Sequence, residues 1–376
     1  MSMEHGGNIF KFAHNQRIEP YEVIDFSANI NLLGPSPKGL NALEAMLPYI
    51  AHYPDITNDD VLNAVADVYN MPKESILVGN GATELLFAIG RLPGFTGAFV
   101  PAPGFSEYRL SMEAASIPVR DVFYRQREEP NSTPYFEVPY LALQSFAAEL
   151  KGQDGRIIVF LGNPNNPDGT LLDKNQISQL ASMLEDANSL LVIDESFIDF
   201  IGTEPLSDNT HSMRSLLKDH KNMIIVHSLT KFYAVPGLRI GALFADSTLI
   251  EAIKPFIPAW SINTLAQAYT VGALNDSEYI IKTKEILAEE QRYMYDHLSS
   301  IESLTVYKPS ANFILIEIKD KTIKVSDLEQ RLSKDNIVIR NCATYSGLGE
   351  GWIRVAVKTH NQNEKLIQIF KDFFNN

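Results

Sequence analysis

SLTKFYAVPGLRIG, residues 228–241, sets a lysine between a pair of hydroxyls and an arginine framed by glycines. Pro236 and Gly237 turn the chain sharply before Arg239, which brings that guanidinium back toward Ser228 and Thr230. Hydroxyls and a fixed cation suit a phosphate. Lys231 stands beside this anion site in a largely apolar segment, and burial lowers an amine's pKa, which prepares it to condense with an aldehyde. A lysine that carries pyridoxal 5′-phosphate fits. Taken alone, the same residues more readily describe a loop lysine after a strand, with Arg239 a solvated strand-end charge.

Outward from this stretch, residues 75–245 alternate short β-rich runs with helical patterns, the sequence form of a parallel sheet covered by helices on both faces. Strands are predicted at 76–79, 97–100, 118–123, 157–161, 190–193 and 222–227, most of them continuous apolar runs as expected for burial on two sides. Helices are predicted at 138–150 and 174–187, and residues 126–137 read as an exposed connection. After Trp260 one long helical stretch, 264–300, bridges to a smaller α+β unit. That unit reads as strand 311–318, helix 325–334, strands 336–340 and 351–357, and a closing amphipathic helix 361–374. The expected division is an N-terminal segment 1–45 packing with the small domain, a large cofactor-binding domain 46–262, a connecting helix 263–300 and a C-terminal small domain 301–376.

Four further motifs fall where open α/β sheets place ligands, at the C-terminal ends of strands. GNGATE (79–84) leads from a strand into a helix whose first amides, at Gly81, Ala82 and Thr83, can hold a phosphate; a glycine turn before a helix is also a common structural device. PGFSEY (103–108) offers Tyr108 to stack on a flat ring, or as a core aromatic. NPNNPDG (163–169) is a rigid turn able to present Asn166 at the sheet edge. DES (194–196) ends the run LLVI with an aspartate that needs a cation or several hydrogen bonds. A protonated pyridine nitrogen is such a cation, and a helix cap is the alternative use of Asp194.

In this order and spacing, the five motifs resemble those of the fold-type I pyridoxal-phosphate enzymes, the aspartate aminotransferase superfamily, and the C-terminal unit resembles that family's small domain. The resemblance implies that Lys231 carries the cofactor, Asp194 pairs with its ring nitrogen, and Asn166 binds its ring hydroxyl. It further implies that Gly81, Ala82, Thr83, Ser228 and Arg239 hold the phosphate and that Tyr108 stacks on the ring. Tyr53, in HYPD (52–55), resembles a tyrosine that reaches the cofactor phosphate across a dimer interface, so a homodimer with shared active sites is implied. Many members carry a tyrosine three residues after the aspartate; here that position is Phe197.

The resemblance is broadest to the branch containing histidinol-phosphate aminotransferases and L-threonine O-phosphate decarboxylases, and HGGN (5–8), DFSANINLLG (25–34), DESFIDF and SLTKFYAVPGLR look like the decarboxylase versions. It implies a small phosphorylated amino-acid substrate met by His5, Asn29, Asn31, Asn166, Arg340 and Arg354. Arginine forks suit phosphate or carboxylate better than lysines do. The implied reaction is decarboxylation of O-phospho-L-threonine, with O-phospho-L-serine a close variant. The runner-up is histidinol-phosphate transamination, and a non-catalytic regulator of the same fold ranks behind both.

Bulk properties narrow the field. The 376 residues, 45% hydrophobic with 21 Gly and 20 Pro, show no repeat or low-complexity bias, which speaks against solenoid and fibrous folds. A formal charge of −14 opposes nucleic acid as a partner. The apolar runs are too short to span a bilayer and the start MSMEHGGNIFKF has no apolar signal core, so a cytoplasmic protein off the membrane is expected. One cysteine, Cys342, excludes an intrachain disulfide and a cysteine-based metal site; no metal is expected.

Overall fold

The computed structural model describes residues 6–128, 133–150 and 155–374. A helix, Ile9–Gln16, precedes the short strand β1 (Ile24–Asp25) and a second helix, Pro37–Met46. The large sheet starts with β2 (Ile76–Gly79), β3 (Phe95–Ala102) and β4 (Val119–Phe123). A hairpin, β5 (Arg125–Arg127) and β6 (Tyr135–Glu137), occupies the stretch expected to be an open connection, with residues 129–132 of that stretch outside the described ones. The sheet then continues with β7 (Arg156–Gly162), β8 (Leu190–Asp194), β9 (Met223–Ser228) and β10 (Gly241–Ala245).

The seven strands lie in the order β2-β10-β9-β8-β7-β3-β4, parallel throughout except for β10, which runs antiparallel to both neighbours. The apolar runs sort by alternate residues onto two faces. Ile158, Phe160, Val192, Ile224 and Val226 join one core, while Ile157, Val159, Leu161, Leu191 and Ile193 join the other. β10 was not among the predicted strands. GALFA is short, and its burial depends on the preceding turn folding it back between β2 and β9, a long-range event that local pattern does not carry.

The smaller sheet is antiparallel, β11 (Leu304–Val306), β12 (Phe313–Ile318), β14 (Arg340–Asn341) and β15 (Trp352–Ala356), in the order β11-β12-β15-β14. The expected strand 336–340 is divided: β13 (Ile337–Val338) pairs in parallel with β1, and β14 turns to pair with β15. Phe26 extends the first pairing, donating its N–H to Val338 O and accepting from Ala356 N, both at 2.8 Å. The N-terminal segment thus stitches onto the small sheet. Its second helix instead lies on the helix Thr264–Leu274, where Tyr269 Oη accepts from Ser36 N at 2.7 Å.

The single helix expected over 264–300 is two, Thr264–Leu274 and Ser277–Ser299. Asp276 causes the break. Its carboxylate caps the second helix by accepting from Tyr279 N (3.4 Å) and also accepts from Ser36 Oγ at 2.6 Å. No described helix is long and apolar enough to cross a membrane.

Candidate active site

A cavity of about 480 Å³ opens between the C-terminal ends of β7–β9 and the small sheet. The 228–241 stretch builds its floor. Ser228 closes β9, and Lys231 lies in the short helix Leu229–Phe232 that follows. Ala234 (φ 55°) and Arg239 (φ 60°) both adopt the left-handed region, disfavoured for side chains with a Cβ, and the turn is held by Val235 N donating to Thr230 O at 3.0 Å. Arg239 returns as the sequence implied. Its guanidinium lies over Gly81, whose φ of +81° and missing Cβ leave the space it fills. Ser228 Oγ and Thr230 Oγ1 sit 2.8 Å apart below.

Lys231 is half-buried in this floor. Desolvation first, then Arg239 and Arg354, lower its amine from 10.5 to about 8, against the opposing pull of Asp194. That displacement disfavours the protonated form by about 3 kcal/mol.

Asp194, at the end of β8, accepts from Ser196 N through Oδ1 (2.9 Å) and from Tyr108 Oη through Oδ2 (2.9 Å). The first contact is an Asx turn and not the helix cap offered as an alternative, because the following turn, Ile198–Phe200, starts at Phe197 without a side-chain cap. The second orients the carboxylate into the cavity, with the phenol kept protonated because burial and Asp194 push it well above its ordinary value. The Tyr108 ring stacks on Phe160 (centroids 5.4 Å, 12°). Phe197 also lines the cavity and packs edge-on against Phe313 at 5.1 Å.

The small sheet supplies the roof. Arg340 and Arg354 are direct cross-strand partners on β14 and β15, a like-charge pairing that costs stability unless an anion offsets it. Arg354 Nη2 donates to Ser27 O at 2.8 Å, and its Nη1 donates to Asn166 Oδ1, leaving Nε buried with no partner. Arg340 Nη2 donates to Thr344 Oγ1 at 3.1 Å. Neither arginine is paired with a carboxylate among the described residues.

Ala82, Thr83, Tyr108, Asn166, Asp194 and Ser228 therefore share the cavity with Lys231, Arg239, Arg340 and Arg354. Asn29 lines it as well, buried, with Oδ1 unpartnered. Asn31 does not. Its Nδ2 donates to Phe232 O (2.8 Å) and lies 2.9 Å from Tyr279 Oη and Thr283 Oγ1, while Oδ1 accepts from Leu33 N (3.0 Å). With every polar position spent, Asn31 braces the Lys231 loop rather than meeting a substrate, a correction that follows from side-chain direction. Tyr53 is 79% exposed and packs at a tilt of 31° against Trp260 with ring centroids 4.6 Å apart, and it is not among the residues lining the cavity of its own chain. His5 lies outside the described residues. Sequence reasoning missed Arg109, Asp121, Tyr345 and Ser346, all on the cavity wall. Cys342 is buried and its thiol is raised to about 11 by desolvation, so it is no nucleophile.

These residues fit pyridoxal 5′-phosphate. The Gly81 cradle and paired hydroxyls suit its phosphate, a lysine of lowered pKa suits its aldehyde, and a carboxylate aimed into the cavity suits its ring nitrogen.

A family model described as aminotransferase class I and II matches residues 21–370. The chain is 35% identical to the adenosylcobalamin biosynthesis bifunctional protein of Leptospira interrogans, over 99% of this chain but 41% of that protein. It therefore spans less than half of that relative's length. It is 33% identical to the threonine-phosphate decarboxylase of Salmonella typhimurium, over 98% of this chain and 96% of that enzyme. Among solved structures, the histidinol-phosphate aminotransferase of Clostridium acetobutylicum superposes with a TM-score of 0.82 at 26% identity, over 93% of this chain and 98% of that one.

Proposed function

The chain belongs to the aminotransferase class I and II family, and we propose on that premise that it is a pyridoxal-phosphate-dependent carboxy-lyase acting on O-phospho-L-threonine. The products are carbon dioxide and 1-aminopropan-2-ol O-phosphate, a linker for the nucleotide loop of cobalamin. Arg340 and Arg354 carry the substrate class: two cross-strand guanidiniums without carboxylate partners among the described residues roof a cavity floored by Lys231. They create a local field for a dianion in a chain whose net charge is −14. The Salmonella relative, similar end to end, supports decarboxylation as the reaction.

When bound, pyridoxal phosphate supplies an aldehyde for an amine and a ring that accepts the electrons of a bond broken at the substrate α-carbon. Lys231 Nζ would hold it by its aldehyde. The Asp194 carboxylate would face its ring nitrogen and favour the protonated form there. Asn166 spends Oδ1 on Arg354, which leaves Nδ2 to donate to the ring oxygen. Phe197 brings no hydroxyl there, so Asn166 serves that oxygen alone. Ser228, Arg239 and the amides of Gly81, Ala82 and Thr83 would hold the cofactor phosphate, and Tyr108 would pack on its ring. Arg340, Arg354 and Asn29 bind the substrate phosphate, with His5 contributing from the N-terminus. Arginines that held the substrate by its phosphate would leave its carboxylate unclamped and free to depart as carbon dioxide, and Lys231 Nζ, on the same cavity, would be placed to supply the proton that replaces it.

We read the protein as a cytoplasmic homodimer in which Tyr53 reaches the partner's cofactor phosphate. Leu47, Tyr49, Ile50, Tyr53, Ile56 and Trp260 form the exposed apolar surface that such a dimer covers.

Purified holoenzyme is tested with O-phospho-L-threonine, O-phospho-L-serine and histidinol phosphate, following carbon dioxide and amine products. Release of carbon dioxide from phosphothreonine is expected, with phosphoserine slower by about 10- to 100-fold for the missing methyl. Keto-acid-dependent transamination of histidinol phosphate without carbon dioxide would falsify the proposal. Lys231→Ala is expected to abolish both turnover and the visible absorbance of the lysine-bound cofactor.

A further inference from the structure

Asp121 lies on the edge strand β4, which pairs only with β3 among the described residues. Its carboxylate is divided between two partners. Oδ1 accepts from Arg109 Nη2 at 2.6 Å, and Oδ2 accepts from Ser346 Oγ at 2.9 Å. Arg109 is itself fixed on the helix Ser106–Ala114, where Glu113 accepts from its Nη1 at 3.3 Å.

Ser346 belongs to the loop that joins β14 to β15, so its bond to Asp121 reaches from the small sheet to the large one. At Gly347 (φ +85°) the loop passes so close that an added Cβ would stand 3.3 Å from the Ala102 carbonyl and the Phe123 ring. The same loop presents Thr344 to Arg340 Nη2 (3.1 Å) and lays the Tyr345 ring 5.4 Å from the Arg340 guanidinium. Tyr345 Oη lies 3.4 Å from Arg354 Nη1 and 3.4 Å from Asn166 Oδ1. The loop is a strap across the cavity mouth, and what lies under it is the arginine pair.

We infer that Asp121 and Ser346 are positioning residues: their hydrogen bond, anchored by Arg109, fastens the strap and so aims Arg340 and Tyr345 at the substrate. This rests on the reading of the arginine pair as a substrate site. A bare carboxylate at the rim would repel a phosphate; Arg109 offsets that charge while leaving Oδ2 as a strong acceptor for the hydroxyl. One side-chain bond closes the strap and breaks locally for entry and exit, without disturbing either sheet.

The test is a double-mutant cycle on the holoenzyme with Ser346→Ala, Asp121→Ala and the pair together. Without substrate, hydrogen exchange of the 342–350 amides is expected to rise by about fivefold or more in each variant, with the visible absorbance of bound cofactor unchanged. With the substrate that the enzyme turns over, KM is expected to rise by about tenfold in each single variant, with a smaller change in kcat, and no further in the pair. Ser346→Thr, which keeps the hydroxyl, is expected to restore both readouts. Unchanged exchange in either single variant overturns the inference, as do KM effects that multiply in the pair, because Ser346 would then act on substrate directly. Since exchange is read without substrate, failure of the proposed reaction and failure of the strap are separate results.

Discussion

At the residue scale, Lys231 shows how the surroundings set a reactive group. Burial beside Arg239 and Arg354 lowers the amine to about 8, so the neutral, nucleophilic form becomes half-populated there and grows as pH rises further. An ordinary exposed lysine reaches that point about two units higher. Cofactor-free protein treated with acetic anhydride and mapped by mass spectrometry is therefore expected to label at Lys231 with a rate half-maximal near about 8; a midpoint above 10 would remove the lysine from this environment. This residue was legible in sequence because its neighbours in the chain are also its neighbours in space. Asn31 was not. It stands in the same turn-rich segment as Asn29, and only the packed structure shows Asn29 on the cavity and Asn31 spent on Phe232. Arg109, Asp121 and Ser346 were invisible for the same reason, since Ser346 meets Asp121 only after the two sheets have come together.

At the scale of elements, continuous apolar runs identified the buried parallel strands, and turn motifs at their ends located the cavity. The errors fall where an element's limits depend on another part of the chain. Asn275 and Asp276 contain no glycine or proline to announce a break, yet Asn275 closes one helix and Asp276 caps the next while its carboxylate also serves Ser36. Asp276→Ala removes a cap and leaves a buried hydroxyl without its acceptor, so a loss of about 1–3 kcal/mol is expected. Urea unfolding at fixed protein concentration measures it, and Asp276→Asn, which keeps an acceptor, is expected to lose less. Equal stability of Asp276→Ala and the parent would return the break to backbone preference alone.

At the scale of the whole molecule, the segment around residues 47–56 and Trp260 leaves large apolar side chains in water, among them Ile50 at 65% and Tyr53 at 79% exposure. Large apolar side chains left exposed in number mark an interaction surface. Sedimentation of the 42.0 kDa chain is expected to show a dimer, with Ile50→Asp shifting it toward monomer. Tyr53→Phe is expected to leave the dimer intact while weakening cofactor retention. A parent protein that sediments as a monomer would refute the shared site.

The parallel pairing of Ile24 with Ile337 and of Asp25 with Val338 also sets an order of events during synthesis. β1, at residues 24–25, leaves the ribosome well before β13, at residues 337–338, the strand it must join. Until then the opening segment has no sheet to complete, so a nascent chain carries it undocked while the seven-stranded sheet is already able to fold. The roof of the cavity is closed by two segments far apart in sequence meeting, and a chain stopped short of β13 would hold a finished floor under an unfinished roof.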